Sequence, residues 1–125
     1  MEVVEVDQPI VVQFVNKIIA DAIHRNASVI RFGGSVTRLT DTPSVGVDIH
    51  YYVDGDYVPV DTIRIQFYPA IVNRIRIMAG LDYWKMNKGQ TGQIKVTVDE
   101  IPVSMSVSIE KLDDREVVTI GIART

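Results

Sequence analysis

The side chains best equipped for recognition chemistry lie close together: Arg74 and Arg76, then the run Tyr83-Trp84-Lys85. Aromatic and Arg side chains anchor many protein interfaces because they bury a large area while still offering hydrogen-bond donors. The chain's single Trp belongs to this group. A contact surface is one reading of it. The other puts Trp84 over the end of a sheet and leaves Arg74 and Arg76 on a solvated helix face, stems packed and heads in water. Residue types alone leave both open.

Other groups with chemical potential lack the partners that catalysis needs. No stretch reads G-x-x-x-x-G-K-[ST], the loop whose backbone amides and Lys cradle nucleotide phosphates, so the chain carries no ATP-hydrolysing motif of that kind. His24 and His50 are the only histidines and show no metal-ligand spacing. We expect His24 on the wet side of a helix and His50 on a strand face, in surface or packing roles. Asp54 with Asp56, and Asp113 with Asp114, are paired carboxylates, but both pairs fall where turns are expected and Asp supports turn geometry. Gly33-Gly34 follows a strand without opening a helix, so it lacks the geometry of a phosphate loop. No nucleophile and base can be assembled. We expect no catalytic residue, no metal and no cofactor.

Composition narrows the class further. A length of 125 residues predicts a single domain over 1–125, with a core large enough to need no staples. Thirteen basic against sixteen acidic side chains leave a net charge of −3, so no global positive field draws in nucleic acid. The absence of cysteine rules out disulfides and thiolate chemistry and suits a reducing cytoplasm. The acidic start has no signal-peptide pattern, and no apolar run approaches the roughly 20 residues of a membrane-spanning helix.

The elements that must position these side chains follow from periodicity. Ile10, Val11, Phe14, Val15, Ile18, Ile19, Ala22 and Ile23 draw one helical stripe, with Asp7 as cap, Pro9 in the first turn and Asn26 at the far end. A strand follows at Ser28 to Phe32, broken by Gly33-Gly34, and Thr40 to Ser44 reads as an exposed loop. Strands over Val47 to Val53 and Tyr57 to Val60 flank Asp54-Gly55, a strong hairpin signal because both positions accept positive φ. From about Gln66 to Ala79 helical spacing returns, stopped by Gly80. Three more strands are expected at Gln93 to Val98, Ile101 to Glu110 and Glu116 to Ile122, with a compact turn at Gly92 before the first and short polar turns between them. The resulting α-β-β-β-α-β-β-β order predicts an α+β fold: a mainly antiparallel sheet of about six strands with two main helices, in a PAS-like arrangement.

Asn73 to Asp82, reading Asn-Arg-Ile-Arg-Ile-Met-Ala-Gly-Leu-Asp, resembles a signature of the domain that precedes the motor in the ATPases of type II secretion and type IV pilus assembly. Pro9 to Ser28 resembles that family's opening helix and Val53-Asp54-Gly55 its Ile-Asp-Gly hairpin. Gln90 and Gly92 match its Gln-Asp-Gly-Arg turn in part, and Val117 to Ile122 resembles its last strand before the linker to the motor. The likeness covers almost the whole chain. Several charged positions depart from the pattern: Ala27 to Gly34 loses the Asp, His and Glu of Ala-Ser-Asp-Ile-His-Ile-Glu-Pro. Tyr52, Met86, Asn87 and Gln93 stand where arginines are usual. Those arginines are expected to help hold nucleotide phosphate, for which the guanidinium fork is suited.

The resemblance therefore implies a degenerate copy of the domain that keeps the fold and loses much of the nucleotide contact. It implies a non-catalytic, cytoplasmic interaction domain whose partner is a secretion or pilus ATPase motor or a neighbouring subunit of its hexameric ring, with self-association possible in principle. Arg74 and Arg76 match the family's basic helix positions. Any retained phosphate or partner contact is expected there, then at Lys85 and Lys88, beside Tyr83 and Trp84. The competing class is a small-ligand sensor of PAS-like fold, since a sheet with flanking helices can enclose a pocket.

Overall fold

The computed structural model describes residues 9–33, 46–81, 89–112 and 115–124. Helix α1 spans Pro9–His24 and buries Val11, Val15, Ile18, Ile19, Ala22 and Ile23 of the stripe that the sequence spacing draws; Phe14 is half-buried, and Ile10, in the first turn, is 61% exposed. It ends where Asn26 adopts φ 60°, with Ala27 N donating to Ala22 O and Asn26 N to Ile23 O. This pair of bonds caps the last carbonyls around one left-handed residue, a conformation that Asn tolerates. Arg124 adds a side-chain donor to Ile23 O, so the C-terminal end of the described chain grips the end of the first helix. Asp7, the expected cap, and the Thr40 to Ser44 loop lie outside the described residues.

The strands are β1 (Val29–Phe32), β2 (Gly46–Val53), β3 (Asp56–Arg64), β4 (Gln90–Val98), β5 (Ile101–Leu112) and β6 (Arg115–Arg124). A short 3-10 turn, Ile65–Phe67, leads into helix α2, Tyr68–Met78. The helix starts two residues later than its apolar spacing suggests, because Pro69 takes a first-turn position where its missing N–H costs nothing. Gly80 closes it at φ 67°, with Leu81 N bonded to Arg76 O and Gly80 N to Ile77 O.

All six strands form one sheet in the order β3-β2-β1-β6-β5-β4, and every pairing is antiparallel. The fold is thus α+β with two helices and a six-stranded antiparallel sheet. Two tight turns have positive φ at both central residues, Asp54-Gly55 and Asp99-Glu100, which matches the right-handed twist of the flanking strands. Both helices lie on one face. Ile30, Phe32, Val47, Ile49, Tyr51, Ile94, Met105, Val107, Val118 and Ile120 meet α1 and α2 there in a continuous core. Fully burying such a side chain stabilises the fold by ~1.5–3 kcal/mol. Tyr51 fits under α1 because its hydroxyl donates to Ile18 O and to Asp21 Oδ2, both at 3.0 Å.

One local expectation is corrected. No turn occurs at Gly92; β4 begins at Gln90 and runs straight through it. The glycine is needed for space. A Cβ there would sit 2.7 Å from Ala79 O and 2.9 Å from a Leu81 methyl, so the chain leaving α2 crosses the strand where no side chain fits.

Candidate functional site

Helix α2 carries the two arginines, and the fold treats them differently. Val72 and Ile75 bury the inner stripe, and Arg76, four residues after Val72, falls on the same stripe. It is 1% exposed. Its Nε donates to Gln90 Oε1 at 2.9 Å, one terminal nitrogen donates to Asn73 Oδ1 at 2.8 Å, and both terminal nitrogens meet the Glu116 carboxylate. A buried cation is tolerated only when paired and hydrogen-bonded, and every nitrogen of this guanidinium is occupied from within the domain. Arg76 is therefore an internal brace between α2, β4 and β6.

Tyr68 completes the brace from the other end of the helix. Its hydroxyl donates to Glu116 O at 2.6 Å, so both ends of α2 are fixed to the same β6 residue, one through its carbonyl and one through its carboxylate. Burial, and then the Glu116 charge, push the Tyr68 phenol well above its ordinary range. It remains a neutral donor.

Arg74 is half-buried, and its Nε is enclosed without a hydrogen-bond partner. Tyr83, Trp84, Lys85 and Lys88 lie outside the described residues, so the structure places neither the aromatic run nor the two lysines relative to Arg74.

The sheet face turned away from the helices holds a group that sequence reasoning undervalued. Val47, Ile49 and Tyr51 face the helices, so Asp48 and His50 point the other way by the alternation of a strand. His50, expected on a strand face in a surface or packing role, is 0% exposed, and Asp48 only 7%. Asp48 accepts from Thr62 Oγ1 at 3.1 Å. Both ring nitrogens of His50 lack a partner, and so does Nε of Arg31, its cross-strand neighbour on β1. Leaving such a group buried and unpaired costs about 1–3 kcal/mol. Beyond Arg31 the same face continues as a shallow trough lined by Thr119, Ser108, Ser106, Thr91 and Gln93. The available signal was the unbroken burial of Gly46 to Tyr51, and buried strands carry no alternation that a sequence would display.

The remaining candidates are quiet. His24 is exposed and its Nε2 lies 2.6 Å from Asp99 Oδ2 across the surface. Asp54 sits in its expected turn, whereas Asp113 and Asp114 are outside the described residues. Among the described residues no group of three or more His, Asp or Glu side chains converges to hold a metal. An apolar groove between α1, the end of β3 and α2, lined by Ile10, Phe14, Ile63, Phe67 and Ile71, has a volume of about 190 Å³. That is smaller than the roughly 300–1,000 Å³ of ordinary small-molecule sites.

With this geometry established, comparison with known proteins fixes the lineage. The family model for type II/IV secretion system proteins matches residues 4–120. The chain belongs to this family. A relative is the type IV pilus assembly ATPase PilB of Pseudomonas aeruginosa, 33% identical over 96 residues. The aligned stretch is 77% of this chain and only 16% of PilB, so the chain spans a small part of that relative's length. It corresponds to the N-terminal domain of the secretion ATPase family, and the pre-motor resemblance read from Asn73 to Asp82 holds. No helix among the described residues is long and apolar enough to cross a membrane.

Proposed function

We propose that residues 1–125 form one non-catalytic domain that docks on, or belongs to, the hexameric motor of a type II secretion or type IV pilus assembly ATPase in the cytoplasm. The domain carries a rigid docking surface and leaves chemistry to the motor. Membership of the family supports the association. The observation that carries the docking reading is Arg31, a half-buried cation on the sheet face away from the helices whose Nε finds no partner within the domain. A half-buried guanidinium that is not fully paired suits completion by another molecule, because its desolvation is already partly met in the free domain.

Arg74 is the better candidate for a residual phosphate contact on α2, since its Nε is unpartnered while Arg76 is held by Glu116, Gln90 and Asn73. Tyr83, Trp84, Lys85 and Lys88 would extend that contact.

The test is an NMR titration of the labelled domain, first with the motor region of the ATPase from the same organism, then with ATP and a non-hydrolysable analogue. Docking predicts saturable amide shifts on β1 and β2 around Arg31 and His50 when the motor is added. A motor that leaves every β1 and β2 amide unmoved at saturating concentration would overturn the reading. In the nucleotide arm, shifts centred on Arg74 would support a retained phosphate contact, and their absence at millimolar ligand would make the domain a protein-only adaptor.

A further inference from the structure

The two edges of the sheet are built differently. On β3, Pro59 lacks an N–H, a bulge interrupts the pairing with β2 at Ile49/His50, and Asp56 and Asp61 place negative charge along the strand. These are the devices that keep an edge from pairing with another chain. Strand β4 has only the weakest of them. It runs in unbroken register with β5 from Gln90 to Val98, contains no proline, and bears one charge, Lys95. Among the described strands it is paired on one side only. Thr91, Gln93, Lys95 and Thr97 are exposed on the trough face, and Val96 and Val98 on the helix face are only half covered.

The order of residues along β4 adds an observation of its own, since Gln-Thr-Gly-Gln-Ile-Lys-Val-Thr-Val is close to self-complementary about its middle residue. An antiparallel copy centred there sets Ile94 against the partner's Ile94, Thr91 against the partner's Thr97 and Gln93 against the partner's Lys95. Val96 of each strand lies opposite Gly92 of the partner subunit, whose helix-side face is already covered by Ala79 and Leu81, so the valine meets that apolar cover and not a gap. Directly opposed residues share a face and couple, and in this register no charge meets a like charge. Shifting the copy so that Lys95 faces Lys95 of the partner subunit would lose that match.

We propose that β4 is a self-association edge: two copies of this chain pair β4 to β4 across a two-fold axis at Ile94, joining their sheets into one of twice the width. Both helix layers then lie on the same side, and the open edge of each copy is removed by the other, as in any isologous contact. The inference is independent of the motor-docking reading.

Sedimentation equilibrium on the 125-residue chain, from micromolar to millimolar, tests it. A concentration-dependent monomer–dimer equilibrium is expected, with β4 amides gaining hydrogen-exchange protection as the dimer fills. Gln93→Glu opposes a carboxylate to the partner's Lys95 twice per dimer and should tighten association by about threefold to tenfold, while Gln93→Lys should weaken it by a similar factor. Gln93 is exposed, so neither change disturbs the fold. A chain that stays monomeric at millimolar concentration overturns the proposal. So does a dimer whose affinity ignores both substitutions.

Discussion

The guanidinium of Arg76 on α2 and the carboxylate of Glu116 on β6 form an ion pair inside the domain, with Arg76 only 1% and the Glu116 side chain 18% exposed. Breaking such a pair from one side leaves an uncompensated charge. Glu116→Gln should cost about 3 kcal/mol in urea denaturation, the lower end of the range for a buried pair because the carboxylate retains some water. Arg76→Met, which removes the cation and keeps much of the volume, should cost less than Glu116→Gln. The reverse order would mean that the bonds of Arg76 to Gln90 and Asn73 matter more than its pairing with the Glu116 charge.

Alkaline pH should weaken the fold through two tyrosines. Burial, reinforced by the Asp21 hydrogen bond at Tyr51 and by the Glu116 charge at Tyr68, raises both phenols well above their ordinary value. Below about pH 10 the phenols are neutral in folded and unfolded chains alike, and their contribution is fully present. Above that, the unfolded chain ionises first, so stability falls by up to about 1.4 kcal/mol per pH unit for each tyrosine until the folded phenols ionise too. Denaturation midpoints measured between pH 8 and pH 11 check this, and the Tyr51→Phe/Tyr68→Phe double variant should show a flatter decline.

Gly92→Ala should destabilise the domain by about 1–3 kcal/mol, since the added methyl meets the Ala79 carbonyl, which cannot rotate away as a side chain could. Gly55→Ala has open space around it and suffers only from its φ of 85°. Thermal melts should rank Gly92→Ala as the more damaging of the two.

His50→Leu removes two unpartnered ring nitrogens from an enclosed position. It should raise the stability of the free domain by about 1 kcal/mol in thermal or urea denaturation and leave binding to the motor unchanged, since the ring has no exposed surface. A stability loss would mean that the packing of the ring outweighs its unpaired nitrogens.

Much of the architecture was legible because it rests on local signals. Val103, Met105, Val107 and Ile109 alternate with serines along β5, Asp54-Gly55 supplies the turn, and the stripe of α1 repeats cleanly. What escaped depends on contacts distant in sequence. Arg76 read as a surface cation because its type outweighed its position, although its spacing from Val72 placed it on the inner stripe. Its partners Gln90 and Glu116 come from strands whose register no local pattern specifies. Gly92 read as a turn for a similar reason, since glycine marks bends and close approaches alike. His50 stayed open between surface and packing roles because the burial of β2 on its far side is a property of the assembled sheet.

The junction of β1 with β6 has a kinetic consequence. Strands β2 and β3 form a hairpin, and β4, β5 and β6 a meander, each from neighbouring stretches of chain; within the described sheet the β1–β6 ladder, from Val29↔Gly121 to Phe32↔Val118, joins the halves. That seam spans nearly the whole described sequence, so its loop-closure entropy must be met before any of its bonds repay it. Sheet closure therefore waits for the last strand to leave the ribosome. Until then β1 presents an open edge in the middle of what will become the sheet, and a chain stalled before Arg115 is exposed to mispairing with its neighbours.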